Sequence, residues 1–334
     1  LGSVTSSSVA ISAVGLAQVG KMAATKHCNE KDHWLLRHQG GFPGTNNYQS
    51  YLVTSAGIST VPVISSIGAL QTQAYIQAIV FYRGVHKFSP NGRKVAATLP
   101  YRTVELYDFD NSTGVLSNVI KLDTISNPPF VNGVAEANSH GAEFSPDGTK
   151  LYVTYGNKHP FLCQFDLCAG SPAAIAASKT VISYDTLISG AIFYPIQLGI
   201  DGKIYVNNNP NSSLSFLGVI NNPNAHGALC NYQPQGIQSL GPSTFFPPIA
   251  GMGTGLPNFE STFFEQKPIL GPISSSIVCG QVNFAAPSLC AAAGYSVSAR
   301  QWNFNDTISS ANTSILSNPS HVFSANGSYT VQLV

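Results

Sequence analysis

Charge is what this 334-residue sequence has least of: 16 Lys and Arg face 15 Asp and Glu, only 9% of positions, against about 25% in an ordinary soluble domain. A balance this close to zero supplies neither the basic stripe that a nucleic-acid backbone requires nor the Lys/Arg face that anionic membranes attract, so both partner classes are excluded. Runs of 18 apolar residues are absent, which excludes a membrane-spanning helix. The first residues, LGSVTSSSVAISAVGLAQVGKM, lack the basic start of a signal peptide. Cysteine is scarce too. The six are scattered and none forms a Cys-x-x-Cys pair, so they build neither a disulfide scaffold nor a structural zinc site. What is there instead is 43% hydrophobic residues, 30 Gly and 21 Pro. The chain can bury a core, and its polar surface must be made of Ser, Thr, Asn and Gln, which suits an extracellular or assembled protein better than a cytosolic enzyme.

Self-comparison reveals a recurring phrase: Phe88-Ser-Pro-Asn-Gly-Arg-Lys94, Phe144-Ser-Pro-Asp-Gly-Thr-Lys150 and the weaker Leu198-Gly-Ile-Asp-Gly-Lys203. Each carries an Asx-Gly tight-turn signal followed by an apolar strand, at Val95 to Thr98, Leu151 to Thr154 and Ile204 to Val206. A second strand follows at matched offset: Val104 to Asp110, Phe161 to Leu167 and Ser215 to Asn221. An earlier, degenerate copy reads DHWLLRH (Asp32 to His38) and YQSYLVT (Tyr48 to Thr54). Four such units of short strands predict a β-propeller over residues 1–265, with about four blades of a larger ring. Pro and Gly cluster at Phe264 to Pro272 as a linker, and the short alternating strands of residues 266–334 predict a small β-sandwich. The fold class is therefore all-β, with room for a helix only at Val9 to Ala24.

In the tail, Trp302-Asn-Phe-Asn-Asp306, Asn318-Pro-Ser-His-Val-Phe323 and Asn326-Gly-Ser-Tyr-Thr-Val331 resemble the phrases of PKD domains. The resemblance implies an immunoglobulin-like sandwich used as an extracellular spacer; Asn303, Asn305 and Thr307 depart from the family's usual Asp, Gly and Gly. The remainder resembles the propeller region that precedes PKD domains in very large type IX-secreted surface proteins of Bacteroidota, including gliding-motility-type adhesins. The phrases that carry this are Lys26-His-Cys-Asn-Glu-Lys-Asp-His-Trp34, Phe144 to Val153, Gln164-Phe-Asp-Leu167, Leu217 to Asn224 and Gly255-Leu-Pro-Asn-Phe259. By that resemblance the chain is a C-terminal portion whose earlier blades are absent. Its open edges are then completed by other parts of the same polypeptide or by identical subunits.

Candidate chemistry is thin. His27, Cys28, His33 and His38 crowd together, but an odd separation puts His33 and His38 on opposite faces of a strand, so they read as structural, with no metal or cofactor expected. Gly251-Met-Gly-Thr-Gly255 is followed by Leu256-Pro257 and lacks the helix that a phosphate loop needs. Neither a Gly-x-Ser-x-Gly elbow nor a His-Glu-x-x-His pair occurs. Glu143, Asp147, Asp108 and Asp110 fall on strands and turns with local structural tasks. No catalytic residue is assigned. Trp34, Trp302 and the tyrosines are the groups able to stack on cell-surface glycans, although core packing is the commoner use of such rings.

The secretory context implied by the resemblance makes Cys279 and Cys290 the best disulfide pair. Asp123-Thr124, Asp185-Thr186 and Asp306-Thr307, each followed by Ile or Leu, resemble the O-glycosylation acceptor of Bacteroidota, placing Thr124, Thr186 and Thr307 as modification candidates. The function expected is a non-catalytic structural segment of a large secreted surface or filamentous adhesin, serving attachment, gliding or capture of other cells. A glycan-binding module and a propeller enzyme are the alternatives.

Overall fold

The computed structural model describes residues 22–39, 44–71, 84–99, 103–123, 130–131, 134–135, 138–156, 161–184, 195–207, 216–238, 260, 262, 273–278, 280–287 and 297–334. The chain divides into two compact units, Leu1–Gln266 and Lys267–Val334.

The first unit is a succession of small antiparallel sheets. The first sheet holds β1 (Met22–Lys26), β2 (His33–His38), β3 (Thr45–Thr54), β4 (Gly57–Ile58) and β5 (Val63–Gln71), with β4 and β5 both paired to β3. The second is the four-stranded meander β6 (His86–Phe88), β7 (Lys94–Leu99), β8 (Thr103–Asp110) and β9 (Val115–Asp123). A two-stranded ribbon, β10 (Phe130–Val131) and β11 (Val134–Ala135), precedes the third meander, β12 (Asn138–Phe144), β13 (Lys150–Gly156), β14 (Phe161–Asp166) and β15 (Thr180–Tyr184). The fourth meander is β16 (Ile196–Leu198), β17 (Ile204–Asn207), β18 (Phe216–Ile220) and β19 (Tyr232–Gln238). Leading strands of successive sheets lie side by side, β1 on β6, β6 on β12 and β12 on β16. The all-β expectation holds. The helix considered over Val9 to Ala24 does not extend to its end, because Met22 to Ala24 belong to β1 and alternate between exposed and buried as a strand does.

The recurring phrase is a hairpin lock. Lys94 N–H donates to Ser89 Oγ (2.9 Å) and Arg93 N–H to Asn91 Oδ1 (3.1 Å), while Gly92 takes φ 66°. The third sheet repeats the pattern: Lys150 N–H donates to Ser145 Oγ (2.9 Å), Thr149 N–H to Asp147 Oδ1 (3.0 Å), and Gly148 sits at φ 70°. A positive φ explains the glycine at this place in the turn. The Lys that closes each phrase then pairs across the sheet, Lys94 with Asp108 and Lys150 with Asp166. Local turn chemistry thus sets the register, and the register places the cross-strand ion pair.

Packing joins the sheets. Trp34, Leu36 and Tyr48 of the first sheet share a core with Phe88, Val95, Tyr107 and Phe109 of the second. Each such side chain contributes about 1.5–3 kcal/mol by leaving water. Trp34 Nε1–H donates to Asn111 O (2.9 Å) in the turn between β8 and β9. Gly114, at φ 78°, lies so close that a Cβ would stand 2.8 Å from the indole ring. Between the third and fourth sheets, Tyr152 and Leu162 pack on Ile196, Leu198, Ile204 and Ile220. There Gln164 fastens the loop after β18, donating from Nε2 to Ala225 O (2.8 Å) and accepting from Gly227 N–H (2.9 Å). A short helix, α1 (Pro172–Ala177), joins β14 to β15; Ser171 caps it, and Pro is placed in its first turn, where no amide partner is needed.

The second unit has β20 (Ser274–Val278), β21 (Gln281–Ala285), β22 (Trp302–Asn303), β23 (Thr313–Ser314), β24 (Ser320–His321) and β25 (Gln332–Leu333). They form two three-stranded sheets, β20-β21-β24 and β23-β22-β25. Both feed one core of Phe284, Trp302 and Phe304, with Val282, Phe323, Val331 and Leu333 around it.

Candidate functional site

Strand order gives the four sheets of the first unit two unlike ends. At one end lie the compact connections 27–32, 55–62, 89–93, 111–114, 145–149, 167–179, 199–203 and 221–231, all described. The other end carries connections 39–44, 72–85, 100–102, 124–137, 157–160, 185–195 and 208–215, which lie largely outside the described residues.

At that second end the strands carry buried hydrogen-bonding side chains. His38 closes β2, His86 opens β6, His140 stands near the start of β12, and Asn207 closes β17. The His38 and His86 rings are 6.5 Å apart, with Tyr48 in contact with both at 5.0 and 5.3 Å. Tyr48 Oη is 3.1 Å from Tyr107 Oη, and the Tyr107 hydroxyl donates to the buried Glu105. Burial raises the Tyr48 and Tyr107 hydroxyls above the ordinary tyrosine range, so both stay protonated donors. His140 sits where the β12–β13 register slips, between Ser139 and Gly141. Such a bulge re-aims a side chain, a device common beside functional sites. Thr98 Oγ1–H donates to His140 O (3.1 Å), tying the bulge to the second sheet.

Deeper, the leading strands exchange charge. Lys87 Nζ lies 2.9 Å from Glu143 Oε2 and donates to Gln197 Oε1 at 3.0 Å, joining β6, β12 and β16. Glu143 also accepts from Leu198 N–H (2.9 Å) and Phe144 N–H (3.1 Å). Its burial pushes the carboxyl pKa up, against the pull of the Lys87 ammonium and these donors. Glu143, read from the sequence only as a strand residue, thus forms one buried chain with Lys87 and Gln197. Their signal lay in the repeat itself, because Lys87, Glu143 and Gln197 occupy the same position, two residues before Ser89, Ser145 and Gly199.

The carboxylates assigned local tasks have them: Asp108 accepts from Lys94 and Asn118, Asp110 from Ser112 and Thr113, and Asp147 from Ser145 and Thr149. His27 and Cys28 lie in the loop that docks on the second sheet through Cys28 N–H to Asn111 O (3.1 Å). His33 stands 3.2 Å from Glu260, well away in register from His38. Among the described residues no group of three His, Cys, Asp or Glu side chains is placed to hold a metal ion. No helix among them is long and apolar enough to cross a membrane. Cys279, Cys290, Thr124, Thr186 and the Gly251 to Gly255 stretch lie outside the described residues.

Thr307 is exposed and follows Asp306, the buried hub of the second unit. Asp306 accepts from Ser324 Oγ–H and Ser324 N–H (2.8 Å), and its Oδ2 is 3.0 Å from His321 Nε2. The Ser324 hydroxyl above all, with the Ser324 amide and His321, holds this carboxyl at about 2, below its ordinary 3.8. A depressed carboxyl pKa contributes stability that is complete above the unfolded value and lost as pH falls through the folded one. The second unit is therefore expected to weaken between pH 3.8 and about 2. Trp302 fluorescence in a Trp34→Phe background reads that unit alone, since the protein has only these two tryptophans. The acid transition should lose this component in Asp306→Asn, and an unchanged profile would disprove the assignment.

The described residues thus define a nearly all-β chain of several small antiparallel sheets. No protein-family model matches it, and no curated protein matches it. Among solved structures it is similar to a protein of Bacteroides uniformis assigned as a 6-phosphogluconolactonase, at 15% identity over 59% of this chain and 50% of that one, with a TM-score of 0.34. It is also similar to the periplasmic gluconolactonase of Pseudomonas aeruginosa, at 13% identity over 79% of this chain and 64% of that one, with a TM-score of 0.42. The chain spans about half the length of the first and less than two thirds of the second. This finding corrects the expectation of a non-catalytic adhesin segment: the structures resembled are lactonases, not adhesins, and that reading is withdrawn. At such identities and TM-scores the likeness carries neither an activity nor a residue role to this chain.

Proposed function

We propose that the first unit binds a neutral, polyhydroxylated small molecule, a saccharide in class, at the end of the sheets that carries His38, His86, His140 and Asn207. Their place at one end, one from each of the four sheets, is the observation that carries the reading. Imidazole, amide and protonated phenol groups both donate and accept hydrogen bonds, which suits hydroxyl groups. Among the described residues Lys87 pairs with Glu143 and Lys179 with Asp123. In this reading the four sheets are blades of a β-propeller and the second unit is a PKD-like sandwich. The repeat phrases and the Trp302-to-Val331 motifs further support a place among large secreted proteins of Bacteroidota, with the chain extracellular.

Calorimetric titration of the full chain with D-glucose, D-galactose and N-acetyl-D-glucosamine tests the function. At least one is expected to bind saturably, and His140→Ala to weaken it about tenfold, the loss of one hydrogen-bonding contact of about 1.4 kcal/mol. An unchanged thermal unfolding midpoint separates lost contact from lost fold. Following the bound sugar by NMR over hours then distinguishes a binder, which leaves it unaltered, from an enzyme. Absence of saturable binding by all three sugars overturns the proposal.

A further inference from the structure

At the same end of the third sheet, aromatic rings form a row that the first reading does not use. Tyr155 and Phe161 stack with centroids 4.3 Å apart and planes at 9°, and Tyr184 follows Phe161 at 5.9 Å. The first two rings are buried, whereas Tyr184 is 63% exposed. Lys179 Nζ lies over both inner rings, 4.8 Å from the Tyr155 centroid and 5.1 Å from that of Phe161. Asp123, at the end of β9, receives Lys179 Nζ and accepts from Tyr155 Oη–H (2.9 Å). Both charged side chains keep some surface, 21% for Lys179 and 16% for Asp123.

We infer that Tyr184, the outer member of the ring row whose inner two rings Lys179 covers, is a second subsite that takes a more distant ring of an extended saccharide, β15 lying three strands out from β12 at about 4.8 Å each; this rests on the reading of the first unit as a saccharide binder. A pyranose has an apolar C–H face and a rim of hydroxyls. The open ring of Tyr184 offers a flat apolar face to the first, and the fixed ammonium and carboxylate offer donors and acceptors to the second. The pair is internally neutral, so it favours neither a cationic nor an anionic ligand. Phe161 behind Tyr184, itself stacked on Tyr155, fixes the ring without closing its outer face. Preorganisation of this kind lowers the ordering cost of binding.

Titration of the full chain with maltotetraose, cellotetraose and N,N′,N″,N‴-tetraacetylchitotetraose, each beside its monosaccharide, provides the test. Wild type is expected to bind one tetrasaccharide about tenfold more tightly than its monosaccharide, Tyr184→Ala to abolish that difference while leaving monosaccharide binding unchanged, and Tyr184→Phe to preserve it. The exposed position makes Tyr184→Ala safe for folding, and a thermal unfolding curve verifies it. Equal affinity for tetrasaccharide and monosaccharide, or a Tyr184→Ala variant that keeps the difference, overturns the second subsite and leaves the first reading standing. Failure of every monosaccharide to bind overturns the first reading instead.

Discussion

Glu143→Ala is expected to destabilise the Leu1–Gln266 unit by about 3–5 kcal/mol, because it leaves the Lys87 ammonium buried without its counter-charge. Lys87 and Glu143 side chains are 4% and 0% exposed, so water cannot take the place of the lost carboxylate. The same change frees the Leu198 and Phe144 amides that Glu143 accepts from, weakening the junction of β12 with β16. Replacing both charges, Lys87→Met with Glu143→Leu, is expected to recover most of the loss, since a well-packed apolar pair of similar size is often as stable as a buried ion pair. Gln197→Leu removes only a neutral partner of Lys87 and should cost about 1 kcal/mol. Urea unfolding followed by Trp34 fluorescence in a Trp302→Phe background measures all three variants in the full chain. A Glu143→Ala variant within about 1 kcal/mol of wild type would show that the pair does not fasten the leading strands.

The strands and the hairpin turns between them were legible because their causes are local. Ser-Pro-Asx-Gly followed by an apolar run fixes a turn, a glycine at positive φ and a strand within a few residues, and β7, β13 and β17 start within one residue of their predicted positions. Even the degenerate first copy was readable, as β2 and β3, without the Ser-Pro-Asx-Gly turn. The leading strands β6 and β16 were harder, at three residues each and too short to show a period. The helix α1 escaped because six residues rich in Ala carry neither apolar periodicity nor charged capping pairs.

Site chemistry was far less legible, for a physical reason. Lys87, Glu143 and Gln197 come from three sheets and meet only when those sheets pack, so nothing in their spacing along the chain announces a contact between residues 110 positions apart. Aligning the three repeats would have exposed them as polar residues at one equivalent position of the leading strands. His86 and His140 carry a weaker signal, lying where a connection enters a leading strand. Of the crowded His27, Cys28, His33 and His38, by contrast, the first two serve a docking loop, His33 pairs with Glu260, and only His38 stands at the proposed site. Proximity along a β chain is a poor guide to proximity of side chains, whereas equivalent positions in successive repeats are a good one.

Trp302→Ala is expected to leave the Lys267–Val334 unit unfolded or nearly so in the full chain. The indole is fully buried between Phe284 and the rest of the core, with ring centroids 5.7 Å apart, and its Nε1–H donates to Leu316 O at 2.8 Å. Truncating a buried aromatic of this size costs about 3–5 kcal/mol. A unit of this length has about 3–10 kcal/mol in total, so the loss consumes much or all of it. Position strengthens the argument: Trp302 pairs with both Ser314 and Leu333, making it the centre of the β23-β22-β25 sheet, and only two residues of each strand take part. With so little ladder, side-chain burial has to supply the cohesion that backbone bonds supply in the first unit. Hydrogen exchange followed by mass spectrometry separates the two units: residues 297–334 should lose protection while peptides spanning β7, β8 and β13 keep theirs. Trp302→Phe should restore part of the protection, because it refills the core but cannot donate to Leu316. Wild-type protection of 297–334 in Trp302→Ala would mean that the unit is held by its turns and the Asp306 hub, not by the aromatic core described above.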